Sequence, residues 1–169
     1  MNGRLYHFFE QDHSRLDDLL AKATANSPQV DEALYHEFRT GLLKHIKLEE
    51  KIIFKAAQQA NGGEALPLQA KLRLDHGALT SFMVVPPTPE VIKIIVELLK
   101  EHNRLEEEPG GMYDQCEQLT NLQVDELFMQ IEAMEDVPVH PYNTADYALE
   151  AAKRSLTRAG FDFTDLLQR

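Results

Sequence analysis

Four interruptions govern what the first two thirds of this chain can fold into: Ala25-Asn26-Ser27-Pro28, Asn61-Gly62-Gly63, Pro86-Pro87-Thr88-Pro89 and Pro109-Gly110-Gly111. Proline loses an amide and clashes with the preceding helical turn, and Asn-Gly or paired glycines favour tight turns, so these points end or kink any helix. Between them apolar residues recur at helical spacing, and strand signals are poor. Leu5, Phe9, Leu16 and Leu20 form one stripe in a segment over about 5–25. Leu34, Phe38, Leu42, Leu48, Ile52 and Ala56 form another over about 30–60, and a third segment covers about 64–85. The fourth starts at Thr88, a good N-cap with Pro89 at the first helical position and Glu90 behind it, and runs at least to Glu108.

Beyond the Pro-Gly-Gly break, 123–136 reads as a shorter amphipathic helix and 137–143, Val-Pro-Val-His-Pro-Tyr-Asn, as an extended linker. Residues 144–160 read as a helix closed by Gly160. The pattern predicts an all-α chain: an up-down-up-down four-helix bundle over 1–119, with a C-terminal helical extension over 120–169. That extension is expected to dock on the bundle or on a second subunit, and Phe161, Phe163, Leu166 and Leu167 offer a homodimer contact.

Two short patterns each occur twice. Asp-His-x-x-Leu stands at 12–16 and 75–79, and His-x-x-Leu-Glu-Glu at 45–50 and 102–107, so two halves are offset by about sixty residues. A single His-to-Glu pair four apart arises by chance in a chain this rich in glutamate; two in matching hexapeptides, alternating with a second repeat, carry more weight. At 100° per residue, His13, His45, His76 and His102 each fall on the apolar stripe of their segment. His36 lies opposite His45, His7 lies well away from His13, and His140 sits between prolines, so these three are assigned to the surface or to ordinary contacts.

Taken singly, an inward histidine is most simply a hydrogen-bonded core residue. Four of them with Glu49 and Glu106 are different, because each buried polar group without a partner costs about 1–3 kcal/mol and a charge costs more. A cation answers all six. Imidazole and carboxylate without thiolate suit iron, manganese or, less specifically, zinc. Six ligands in two halves suit two metals, each with two histidines and sharing both glutamates. Glu50, Glu107, Asp12 and Asp75, beside the candidate ligands, read either as surface charge or as partners for the histidine N–H groups.

The arrangement H…HxxxE…H…HxxxE over four helices resembles the hemerythrin-like, or HHE cation-binding, family across about residues 5–110. The resemblance implies a bundle around two non-haem iron ions with an oxo or hydroxo bridge, with His13, His45, His76 and His102 as terminal ligands and Glu49 and Glu106 as bridges. His13 and His102 are then expected to pair with His45 and His76 across the centre, with the iron that each binds left open. Oxygen-carrying members have a fifth histidine where this chain has Thr80, and an aspartate where it has Glu106. More open coordination favours reactivity over reversible carriage. Tyr6 or Asp17, and less readily Glu10, can fill a vacancy, although core-edge packing or a solvated acid is the simpler reading of all three. The implied function is binding of dioxygen, nitric oxide or peroxide for sensing, storage or detoxification. The alternative is a di-iron oxidase or peroxidase, or a protein that donates iron to damaged iron–sulfur clusters. Repair relatives usually carry a cysteine-bearing N-terminal region, and this chain opens almost at its first ligand helix, which weighs against repair without removing it.

The net charge of −11 argues against nucleic acid or an anionic membrane as partner. No apolar run approaches the ~18 residues of a membrane span, and the opening Met-Asn-Gly-Arg-Leu-Tyr-His-Phe-Phe-Glu is no secretion signal. Cys116, alone, forms no internal disulfide. A cytoplasmic protein is expected.

Overall fold

A computed structural model describes residues 3–169; Met1 and Asn2, which belong to the expected 1–119 unit and to the stretch read for a secretion signal, lie outside the described residues. Among those described there are helices and no strand. They are α1 (Arg4–Ala23), α2 (Glu32–Leu48), α3 (Phe54–Ala60), α4 (Gln69–Phe82), α5 (Pro89–Glu107), α6 (Met112–Thr120), α7 (Val124–Ala133), α8 (Asp146–Arg158) and α9 (Phe163–Leu167). None is long and apolar enough to cross a membrane.

Local chemistry sets most boundaries. The Asp31 carboxylate accepts from the amides of Ala33 and Leu34, fixing the start of α2. Thr88 Oγ1 accepts from the Val91 amide in front of Pro89, so α5 begins where its capping sequence places it. The third segment starts later than expected, at Gln69 rather than near residue 64. Pro67 disfavours helical backbone at Leu66, and the Gln69 side chain instead accepts from the Leu66 amide at 3.1 Å. α2 and α3 are joined through a π-helical stretch, Glu49–Ile53, which the sequence does not advertise. Its wider turn crowds one face: Leu48, Glu49, Ile52, Ile53 and Phe54 are all buried there. α6 was also not foreseen.

The apolar core falls into two clusters with the histidines between them. One gathers Leu16, Leu20, Leu42, Leu79, Leu98 and Leu99; the other gathers Leu5, Phe9, Leu48, Ile52, Leu72 and Met112. Along α1 the order is Phe9, His13, Leu16, so the polar layer interrupts a stripe that is otherwise apolar. α1 lies against α2, α5 and α6, while α4 lies against α5 and α8.

The C-terminal segment packs on the first cluster. Ala152, Leu156 and Leu166 belong to the first cluster, and the Phe163 ring stacks on Phe82 at 6.5 Å. Lys71 Nζ sits 4.3 Å over the Phe161 ring, and Leu167 is half-buried on the same cluster. Gly160, at φ +92°, ends α8 as the sequence predicts.

Candidate metal centre

His13 on α1, His45 at the end of α2, His76 on α4 and His102 on α5 all turn inward, and each is buried. Glu49, four residues past His45, and Glu106, four past His102, are fully buried beside them. Their donor atoms form two groups, each with its atoms within 4.8 Å of one another: His13, His45, Glu49 and Glu106, and Glu49, His76, His102 and Glu106. Each glutamate divides its oxygens between the groups. Glu49 Oε1 lies 3.1 Å from His45 Nε2, and Oε2 lies 3.0 Å from His76 Nε2. Glu106 Oε2 lies 3.3 Å from His13 Nε2, and Oε1 lies 3.3 Å from His102 Nε2. Ring centroids lie 4.6 Å apart for His13 and His45 and 4.8 Å apart for His76 and His102.

The other face of every imidazole meets a second carboxylate. Asp12 on α1 takes His45 Nδ1 at 2.8 Å, and Glu50 takes His76 Nδ1 at 2.8 Å. Asp75 on α4 lies 3.4 Å from His102 Nδ1, and Glu107 on α5 lies 2.5 Å from His13 Nδ1. The pairs form a closed cycle: α1 to α2, the π-helical stretch after α2 to α4, α4 to α5, and α5 back to α1. The repeated motifs thus supply two things: a donor pointing inward, and an acid one position away that orients the next helix's imidazole. With Nδ1 engaged, each ring presents Nε2 to the centre. Of the two readings left open for these acids, orientation of the histidines is the one they occupy. Cations hold three of the four from outside: Arg15 on Asp12, Lys71 on Asp75 and Arg73 on Glu50.

The remaining candidates fall elsewhere. Tyr6 Oη donates to the Glu107 backbone carbonyl at 2.6 Å. Asp17 is exposed and stands outside both donor groups. Glu10 pairs with His7, and the Thr80 hydroxyl donates back to the His76 carbonyl. His7, His36 and His140 are exposed.

One participant escaped the sequence reading altogether. Tyr113, on α6 and 1% exposed, places Oη within reach of the whole first group. It lies 2.5 Å from Glu49 Oε1, 3.0 Å from Glu106 Oε2, 3.0 Å from His13 Nε2 and 3.2 Å from His45 Nε2. α6 reaches this position by folding back tightly after α5. A Cβ on Gly111 would stand 2.7 or 2.8 Å from the carbonyl oxygens of Leu105, Glu106 and Glu108, so only glycine permits the approach.

Burial opposes charge on each imidazole, yet the facing carboxylates outweigh it. Glu106 and Glu107 carry His13 up to about 10, Glu106 and Asp75 carry His102 up to about 9, and His45 and His76 are raised for the same reason. Burial likewise opposes ionisation of Glu49, but His45 and His76 hold it well below the ordinary range. Glu106 is lowered against both burial and repulsion from Glu49, by His102 and His13. Four imidazolium charges equal two dications, so protons and a pair of divalent metals neutralise the six surrounding carboxylates to the same extent.

Protons nevertheless fit the geometry poorly. His76 Nε2 and Glu49 Oε2 lie 3.0 Å apart without hydrogen-bond alignment, and neither they nor Glu106 Oε1 has an aligned partner among the described residues. Buried polar atoms in close contact without hydrogen-bond alignment are what donors aimed at a shared third atom look like. On an octahedral centre with bonds of about 2.1 Å, adjacent donors lie about 3.0 Å apart; the separations here are 3.0 to 3.3 Å. These residues can hold metal.

A groove of about 500 Å³ between α1 and α5 reaches His13 from solvent, along Asp17, Asn103 and Glu107. Asn103 also lines a space of about 10 Å³ under Leu16, Leu42, Ile46 and Leu99 that touches His13, His45 and His102. No family model, curated protein or solved structure matches this chain.

Proposed function

We propose that this is a hemerythrin-like protein: an up-down-up-down four-helix bundle of α1, α2 with α3, α4 and α5 around two non-haem iron ions, which binds a small ligand of the dioxygen, nitric oxide or peroxide class for sensing, storage or detoxification. The observation that carries the reading is the division of both buried glutamates between two histidine pairs. A single structural metal needs only four donors and no shared carboxylate. Nitrogen and oxygen donors without sulfur favour iron or manganese over thiolate-bound metals.

A pair of iron ions supplies exchangeable coordination and one-electron chemistry, which the amino acids lack. The protein's own work is positional. His13, His45, His76 and His102 would be terminal donors, each held in one tautomer by its outer carboxylate. Glu49 and Glu106 would fix the separation of the two metals. Leu16, Leu42, Ile46 and Leu99 line the space beside the centre with apolar surface. That space is about the size of one water, so a ligand reaching the centre there must be small. The partnerless amide oxygen of Asn103, between groove and enclosed space, is a polar step on the way in.

The test is metal analysis of protein from iron-replete cells, beside His45→Ala and His102→Ala. Two irons per chain are expected in the parent and a clear deficit in each variant. Full iron in both variants, or a folded parent without metal, overturns the reading.

A further inference from the structure

We propose that Tyr113 is a fifth protein ligand, bound as phenolate, to the metal held by His13, His45, Glu49 and Glu106, and that the two metal positions are therefore unequal. The inference rests on the two-metal reading above but concerns a residue outside the repeated motifs.

The hydrogen-bond count carries the argument. A phenol has one proton to donate and a limited capacity to accept. Tyr113 Oη has four polar neighbours between 2.5 and 3.2 Å, two of them carboxylate oxygens that each need a donor. One proton cannot serve both carboxylates, and the imidazoles add two further claims on the same oxygen. As a set of hydrogen bonds the arrangement is oversubscribed. As a set of ligands it is regular. An axial donor on an octahedral centre with bonds of about 2.1 Å lies about 3.0 Å from each of four equatorial donors. The four distances scatter about that value, and the donor atoms of His13, His45, Glu49 and Glu106 lie within 4.8 Å of one another.

The second group provides the contrast. Around His76 and His102 no tyrosine enters, and Glu49 Oε2, His76 Nε2 and Glu106 Oε1 have no hydrogen-bond partner. The corresponding aromatic there, Phe54, stacks on the His76 ring at 6.0 Å and offers no donor atom. Phe9 and Tyr6 wedge the Tyr113 ring at 5.4 and 6.1 Å, and the close turn at Gly111 fixes its backbone. Tyr113 is thus held rigidly by neighbours on both sides, as a ligand must be. When the metal–oxygen bond forms, the Oη–H bond breaks and its proton goes to solvent, with no change of oxidation state. One metal then has five protein donors and the other four, which concentrates exchangeable coordination on the His76/His102 side.

The experiment uses the full chain loaded with ferrous iron and oxidised to the ferric state. Wild type should show a visible phenolate-to-iron charge-transfer band, with resonance-enhanced ring vibrations that shift when tyrosine is ring-deuterated. Tyr113→Phe should abolish both while retaining iron on at least the second side, and Tyr6→Phe should keep both. Iron-loaded wild type without the band, or a band that persists in Tyr113→Phe, overturns the ligand assignment and leaves the two-metal reading standing. A wild type that takes up no iron overturns both. Should Tyr113→Phe fail to fold, the isotope shift in wild type decides alone, its absence counting against the proposal.

Discussion

The two halves of the centre are built from the same words and end up different. In the first, His13 and His45 face Glu49 Oε1 and Glu106 Oε2 with a phenol set among them. In the second, His76 and His102 face the opposite oxygens of the same glutamates, and three of the four donor atoms stand without partners. Asp-His-x-x-Leu and His-x-x-Leu-Glu-Glu encode everything the halves share: inward imidazoles, divided carboxylates and the cycle of orienting acids. The difference comes from one residue on α6, outside both repeats. A duplicated pattern supplies two equivalent positions, and a single side chain from elsewhere suffices to make them chemically distinct.

Glu106→Ala should have the largest effect, since it touches both halves at once. Each loses one donor, His13 and His102 lose a facing carboxylate, and Tyr113 loses one of its two acceptors. Metal should fall in both positions, whereas His76→Ala should empty mainly the second. Metal content after dialysis against a chelator, read against circular dichroism for folding, separates the two. Equal loss in both variants would mean that the halves do not fill independently, and the comparison drawn above would fail.

Much of this was legible in the residues and some was not. The six inward donors could be read because helical phase holds within one uninterrupted segment: His45 predicts the direction of Glu49, and His102 that of Glu106. Thr88-Pro89 and Gly160 spoke through local backbone chemistry. Tyr113 could not be read, because Gly110 and Gly111 reset the phase between Glu106 and α6, and spacing along the chain no longer reports direction. Its one signal was indirect, a glycine whose Cβ would strike the carbonyls of α5. The pairing of Asp12 with His45 or Glu50 with His76 was equally hidden, since it depends on how neighbouring helices are rotated against each other. The π-helical stretch from Glu49 lies among ordinary helix formers, and burial of Ile52, Ile53 and Phe54 together is its only trace.

Alkaline pH should sharpen the contrast between metal-free and metal-loaded protein. Without metal, the folded-state histidines titrate above the ~6.5 of an unfolded chain, His13 at about 10 and His102 at about 9. Their stabilising contribution is therefore complete below about 6.5 and lost as pH rises through those values. Glu49 and Glu106, lowered in the fold, contribute above the ~4.5 range and lose that contribution as pH falls. A metal-bound imidazole is already neutral, keeps only the Nδ1 proton that faces its outer carboxylate, and has no imidazolium proton to lose over this range. The gap in Tm between loaded and metal-free protein should widen steadily from pH 7 to pH 10, with the His102 side weakening before the His13 side. A gap that narrows over this range contradicts the exchange of protons for metal.

The smallest effect expected is that of one orienting acid, and it is the most discriminating. Glu50→Gln keeps an oxygen able to accept from His76 Nδ1 at the present 2.8 Å but removes the charge that strengthens the imidazole as a donor. Arg73, which now shares Glu50, loses its counter-charge as well. Loss of such a partner lowers metal affinity by about 10- to 100-fold, and glutamine should fall at the low end because the geometry survives. The weakening should be confined to the second position, leaving the phenolate band of the first unchanged. Glu107→Gln is the mirror experiment, since it acts on His13 and should perturb that band while sparing the second position. If both substitutions weaken the same position, the cycle of acids transmits strain around all four helices, and the halves are coupled through it rather than through the shared glutamates alone.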